Sequence, residues 1–484
     1  MPQIEQRRDA FLAVLRADGS TSIGLGHLIR SLTLLQEFHR RGWRVLLATR
    51  CEYPNGIFDI HPIRELLTGT EVIPVSGNGD LTQAELSSAT GEATADLLIV
   101  DHYELDREFE SGFADTVNLR LVIDDLADRP HDCEILVDSA PGRNIDDYQG
   151  SVGPDCQILL GGQFSILRPQ FAANRARSLA RRRSDINKIL VAPGATDTSN
   201  IAVPILRALS ELRRGGYSFA VTVVLSSLAY SCAAVRDILA DTPDWELLVD
   251  RNDVAEILIE TDLAIGTFGS SCWERACLGV PSIAVVAADN QLTIARDFEA
   301  SGAAFTITMD ENIPSRVSEL VTELALEPNG MSGMSASAAV LCDGVGCSRI
   351  ADAVEKLIGE KRLRSDRDTP SLALRPIQVE DCERLFRWQC APETRRFARN
   401  AAPPSWPEHC RWFESRLKDG DSQSMIVEAE RTPVGTVRLD PIEDGSAQEI
   451  SIALAPEHFG KGIALATLRK LTARMPGVAL MAYV

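Results

Sequence analysis

The sequence predicts an α/β protein: two parallel-sheet halves followed by a smaller α+β region. Three observations carry this. Near-continuous apolar runs alternate with amphipathic stretches over residues 8–357. A basic stretch at 175–183 divides that span in two. After a polar, charged segment at 358–370 the texture changes to consecutive short strands.

The first half, 8–175, has apolar runs at 11–15, 43–48, 96–101 and 119–125. Runs without polar alternation suit strands buried on both faces, with helices between them. A helix is expected to begin near His27, because Leu28, Ile29, Leu32 and Leu35 recur at helical spacing. The second half, 185–357, repeats the pattern with strands at 189–192, 220–225, 263–266 and 280–286. Both halves therefore read as Rossmann-like domains with a cleft between them. In such sheets ligands bind at the carboxyl ends of the strands. Asp101, His102 and Tyr103 stand at one such end, and Asp124 and Asp125 at another. These are either turn formers and helix caps or ligand contacts.

Residues 358–370 read as a linker, and 371–484 as a third domain. Here 372–375 suits a strand, 381–389 and 406–417 suit helices, and 424–430, 434–439 and 449–454 suit a meander. Gly460-Lys461-Gly462-Ile463-Ala464 opens a helix through Leu465, Leu468 and Leu471, and 481–484 starts another strand.

The composition narrows the function classes. With 49 Lys and Arg against 69 Asp and Glu, the net charge of -20 argues against nucleic acid or an anionic membrane as a general partner. A small anionic ligand remains compatible, because backbone dipoles and single arginines can bind a diphosphate. Eleven cysteines without a Cys-x-x-Cys pair suit reduced thiols in a cytoplasmic protein. The N-terminus lacks a signal-peptide core, and no stretch reaches membrane-spanning length.

Two segments carry chemistry. Gly24-Leu25-Gly26-His27 joins a strand to a helix, where free backbone N–H groups and the helix dipole favour a phosphate. The third glycine of a dinucleotide fingerprint is absent, and His27 is either a proton-transfer group or a capping, packed histidine. Gly266-Thr267-Phe268-Gly269-Ser270-Ser271-Cys272-Trp273-Glu274-Arg275 also joins a strand to a helix. Gly269, Ser270 and Ser271 offer donors to a diphosphate, and Glu274 an acceptor for a ribose diol. Read structurally, the serines are caps and Glu274 a capping-box residue.

These segments, with Arg16-Ala17-Asp18, Val100-Asp101-His102-Tyr103, Val122-Ile123-Asp124-Asp125, Leu167-Arg168-Pro169 and Asp289-Asn290-Gln291, resemble the UDP-sugar hydrolases of pseudaminic acid biosynthesis. Those enzymes are relatives of the GT-B glycosyltransferases that make peptidoglycan lipid II. The resemblance implies a GT-B-like pair of Rossmann-like domains. It implies cleavage of UDP-2,4-diacetamido-2,4,6-trideoxy-β-L-altrose to UDP and free sugar, with inversion at the anomeric carbon and no metal or other cofactor. His27 would be the general base on water. Arg16, Gly24, Gly26, Tyr103, Gly269, Ser270, Ser271, Glu274 and Asn290 would bind substrate, Glu274 at the uridine ribose and Asn290 at the sugar or water. A GT-B glycosyltransferase with a UDP-amino sugar donor, or a hydrolase of a related nonulosonate precursor, would show nearly the same loops. The loop at 194–197 departs from the family's Gly-Gly-Ser-Asp type at Ala195.

Residues 371–484 resemble the GNAT acetyltransferases, which implies acetyl-CoA bound at Gly460, Gly462 and Ala464. Phe459 departs from the Arg or Gln usual there. The usual fold continues past 484, so this domain is expected to be a truncated one or a remnant. The sequence leaves the oligomeric state open.

Overall fold

The computed structural model describes residues 10–19, 26–50, 61–75, 80–90, 94–181, 184–194, 196–288, 291–368, 371–395, 402–418, 423–442, 447–459, 461–475 and 478–481. The chain divides into two compact units, Met1–Ile358 and Gly359–Val484.

The first unit contains two parallel sheets. One is built from β1 (Leu12–Ala17), β2 (Arg44–Thr49), β3 (Glu71–Pro74), β4 (Leu97–Asp101), β5 (Arg120–Ile123), β6 (Ile135–Asp138) and β7 (Gln157–Leu160), in the order β3-β2-β1-β4-β5-β6-β7. The other holds β8 (Lys188–Ala192), β9 (Ala220–Leu225), β10 (Trp245–Val249), β11 (Leu263–Thr267), β12 (Ser282–Val286) and β13 (Ala304–Thr308), in the order β10-β9-β8-β11-β12-β13. Each order runs outward from its first strand in both directions, so each sheet has a switch point, at β1/β4 and at β8/β11.

Strand β1 explains the unbroken apolar runs. Ala13, Leu15 and Ala17 enter the core under the helix Gly26–Arg40, beside Leu28, Leu32 and Leu35. Leu12 and Val14 enter the core on the other face with Leu46, Leu98 and Val100. A strand covered on both sides has no solvent face to keep polar. Some of the strands missing from the sequence reading are short or polar at the ends. β3 is a largely exposed edge strand, and β6 has four residues and ends in Asp138.

The helix Gly346–Asp368 packs the end of the expected second half, 346–357, onto the first sheet. Cys347, Ile350, Ala351, Val354 and Ile358 pack into the core of the first sheet, not the second. Arg41 and Trp43 both donate to Glu355, at 2.8 and 3.3 Å. The stretch read as a linker continues this helix to Asp368, its Lys, Arg and Glu residues being good helix formers.

A buried polar network lies at the connection between β5 and β6. His131 Nδ1 lies 2.7 Å from Glu110 Oε1 and its Nε2 3.7 Å from Asp124, with both acids fully buried. Burial opposes charge on His131, but Asp124 and Glu110 overcome it and raise its pKa from 6.5 to about 9. The folded value lies above the unfolded one. The pairing therefore stabilises fully below about pH 6.5 and is lost as pH rises through about 9, at most about 3 kcal/mol. The urea midpoint of this unit should fall over that window more steeply in the parent than in His131→Gln. Equal slopes would contradict the pairing.

The second unit contains β14 (Leu372–Pro376), β15 (Gln423–Ala429), β16 (Thr432–Pro441), β17 (Ala447–Leu454) and β18 (Ala479–Met481) in sequential order, antiparallel up to β17 and parallel between β17 and β18. Leu374, Val427, Val437 and Ile450 form its core with Ile463 and Leu471 of the helix Ile463–Arg474.

Candidate active site

The carboxyl ends of β4, β5, β8, β9 and β11 open onto one cavity of about 520 Å³ between the two sheets of the first unit. Its walls come from both halves. Gly26, His27 and Tyr103 lie on one side, and Gly269, Ser270, Ser271 and Glu274 on the other. A Cβ built on Gly26 would sit 3.5 Å from Ser270 Oγ, so a side chain here would narrow the gap between the two loops. At β11, a Cβ on Gly266 would overlap the Ala192 carbonyl of β8, which is why this strand carries glycine beside the switch point.

His27 stands in the first turn of its helix and its ring is mostly buried. Its Nδ1 lies 2.9 Å from Asp101 Oδ1, at the end of β4. Arg30, one turn further along the same helix, donates Nε and Nη2 to Asp101 at 2.8 and 2.7 Å, and Nη1 to Asp125 at 2.8 Å. Ser31 also donates to Asp101. Burial alone would raise the Asp101 carboxyl, but Arg30 and His27 hold it far below the usual carboxylate range. Asp101 is therefore an ionised acceptor, and it favours the neutral tautomer with the proton on Nδ1 and the lone pair on Nε2. The Arg30 nitrogen 3.1 Å from Nδ1 is already satisfied by Asp101. Tyr103 packs edge-on against the imidazole, ring centroids 4.5 Å apart.

Across the cavity, β11 ends at Thr267 and the helix Ser271–Cys277 follows. Arg275 fixes the turn from beneath. It is buried and donates to the Thr267 carbonyl at 2.9 Å. Gly269 and Ser270 are exposed to the cavity. Glu274 takes an ion pair from Arg168 at 3.3 Å, and burial raises its pKa against that pairing. Thr196 and Ser226, in the loops after β8 and β9, complete the wall on this side.

The structure thus brings together Gly26, His27, Tyr103, Gly269, Ser270, Ser271 and Glu274. Gly24 and Asn290 lie outside the described residues, as do Ala195, Asp289 and Gly460. Arg16 requires a correction. It is fully buried and does not line the cavity, and its guanidinium is taken up by Asp18 and by Asp80, with Nε at 2.6 Å from the latter. A buried arginine needs such acids to offset its desolvation. In the second unit Gly462 (φ 70°) precedes the helix that contains Ala464.

In the sequence Asp101 and Asp125 stand out as strand-end and motif residues without a role, and Arg30 does not stand out. The available signal was the i, i+3 spacing of His27 and Arg30, which places both on one helix face.

Residues 371–479 match the family model described as "Acetyltransferase (GNAT) domain". The first unit resembles MurG of Acinetobacter baumannii, with a TM-score of 0.50 at 14% identity over 72% of this chain and 99% of that one. The chain joins a GT-B-like pair of Rossmann domains to a GNAT domain. It is 22% identical over 278 residues to the UDP-2,4-diacetamido-2,4,6-trideoxy-beta-L-altropyranose hydrolase of Campylobacter jejuni, covering 57% of this chain and 92% of that protein. It is 29% identical over 161 residues to the spore coat polysaccharide biosynthesis protein SpsG of Bacillus subtilis, a third of this chain and 46% of that protein. The resemblance read from the motifs of the GT-B-like unit therefore holds, and so does the one read for the GNAT domain. Among the described residues, no helix is long and apolar enough to cross a membrane.

Proposed function

We propose that the GT-B-like unit hydrolyses a UDP-linked diacetamido sugar, UDP-2,4-diacetamido-2,4,6-trideoxy-β-L-altrose, to UDP and free sugar. The observation that carries this reading is the His27–Asp101 pair facing the Gly269–Ser271 loop across one cavity. A proton acceptor on one wall and hydrogen-bond donors on the other suit water attack on a carbon whose leaving group is a diphosphate.

In this mechanism His27 Nε2 takes a proton from water as the water oxygen bonds to the anomeric carbon. The bond from that carbon to the diphosphate oxygen breaks, and its electron pair leaves with UDP. Attack from the face opposite the leaving group inverts the centre. Asp101 keeps Nδ1 protonated and stabilises the imidazolium that forms. UDP is a good leaving group, so the donors of Gly269, Ser270 and Ser271 meet its developing charge without a separate acid. Glu274 holds the ribose diol, and Tyr103 shapes the sugar side beside His27. Asn290 belongs to the same proposal as a sugar or water contact. UDP release from this UDP-sugar with no acceptor added tests the reading. Release only on adding an acceptor would make the protein a transferase, and release from another UDP-diacetamido sugar alone would move the substrate to a related precursor.

For the GNAT domain we propose acetyl-CoA as ligand and an amino sugar nucleotide as acceptor. Gly462, with φ 70° and open space around its Cα, leads into a 12-residue helix without an acidic residue in its first turn, which suits a pyrophosphate. Ala464, in the first turn of that helix, belongs to the same proposal, as does Gly460. Gly462→Val should lower acetyl-CoA affinity at least about tenfold by calorimetry, because the left-handed backbone excludes a β-branched residue. Unchanged affinity would contradict this site.

A further inference from the structure

Asn252, in the loop after β10, joins three separated parts of the GT-B-like unit. Its side-chain amide donates to Glu65 of the helix His61–Leu66, in the first half. Its Oδ1 accepts from Arg168 Nη1 at 2.8 Å, and its carbonyl accepts from Gln170 at 3.1 Å. Arg168 then turns Nη2 to Glu274 Oε1 at 3.3 Å, the one ion pair of Glu274 among the described residues.

The guanidinium of Arg168 lies over the Phe171 ring, 5.3 Å from its centroid, and its Nε is buried without a hydrogen-bond partner. Its orientation therefore rests on the Phe171 ring beneath it, Asn252 on one side and Glu274 on the other. Without the Asn252 side chain, Arg168 Nη1 keeps only its longer 3.5 Å bond to the residue-252 carbonyl, and the charge that fixes the Glu274 carboxylate is held less firmly.

We propose that Asn252 is a positioning residue for nucleotide recognition. It holds Arg168 against Glu274, so that the carboxylate faces a ribose diol, and it anchors this arrangement to the opposite half through Glu65. The proposal rests on the UDP-site reading above. Asn252 itself needs no contact with the ligand.

Calorimetry on the full chain with UDP and with 2′,3′-dideoxy-UDP tests it. The parent should prefer UDP, and Asn252→Ala should weaken UDP about tenfold while changing dideoxy-UDP by less than about twofold. Asn252→Asp retains an acceptor for Arg168 and should keep the preference. Arg168→Lys, an independent probe if Asn252→Ala fails to fold, should abolish it. Equal loss for both ligands, or no loss, overturns the proposal alone. A parent that binds no UDP overturns the nucleotide-site reading and this proposal with it.

Discussion

His27→Ala should lower turnover of the UDP-sugar about 10²–10⁴-fold while leaving UDP affinity within about twofold. The reason is geometric. His27 supplies the unprotonated nitrogen of the His27–Asp101 pair on the first-half wall of the cavity, whereas the proposed diphosphate and ribose contacts come from Gly269, Ser270, Ser271 and Glu274 on the opposite wall. Removing the imidazole deletes the proton acceptor and leaves the nucleotide loop intact. The helix should survive, because its buried face is formed by Leu28, Leu32 and Leu35 and alanine is a good helix former. Steady-state kinetics beside UDP calorimetry checks this. Turnover within a few-fold of the parent would remove His27 from the mechanism.

Asp101→Asn should have the next largest effect, a loss of about 10²–10³-fold in kcat with a small change in KM. An asparagine in this place can present its amide N–H to Nδ1, which favours the tautomer with the proton on Nε2 and removes the acceptor from the reacting side. The same substitution breaks a buried pair with Arg30, whose remaining carboxylate partner is Asp125. A stability cost of about 3–5 kcal/mol accompanies such a loss. Folding and catalysis therefore need separate readouts, thermal melting for one and UDP affinity for the other. A variant that melts lower but retains kcat would assign Asp101 a structural role only.

Much of this arrangement is legible in the sequence where one local cause dominates. β9 spans 220–225 as expected, because six consecutive apolar or β-branched residues leave no competing reading. The helix from Gly26 follows from its leucine spacing, and the turn at 269–271 from its glycine and serines. The strand-end acids were visible, yet nothing local separates Asp101, which holds His27, from Asp124, which accepts from the Leu126 and Ala127 amides as a turn former. Only the crossing of β4 beside the first helix decides that. Arg16 fails for the same reason. The resemblance implied a ligand contact for Arg16, but Asp80, 64 residues away, helps to take up its charge. The helix Gly346–Asp368 belongs to the first sheet through tertiary packing of Ile350, Val354 and Ile358, which its own periodicity leaves unassigned to either sheet.

The most direct test of the central claim is real-time proton NMR of UDP-2,4-diacetamido-2,4,6-trideoxy-β-L-altrose with the full chain and no acceptor. The account predicts UDP and free sugar in equal amounts, with the first-formed sugar carrying the anomeric configuration opposite to that of the substrate. No UDP release, or a first-formed sugar that retains the configuration, would contradict direct attack by water activated at His27.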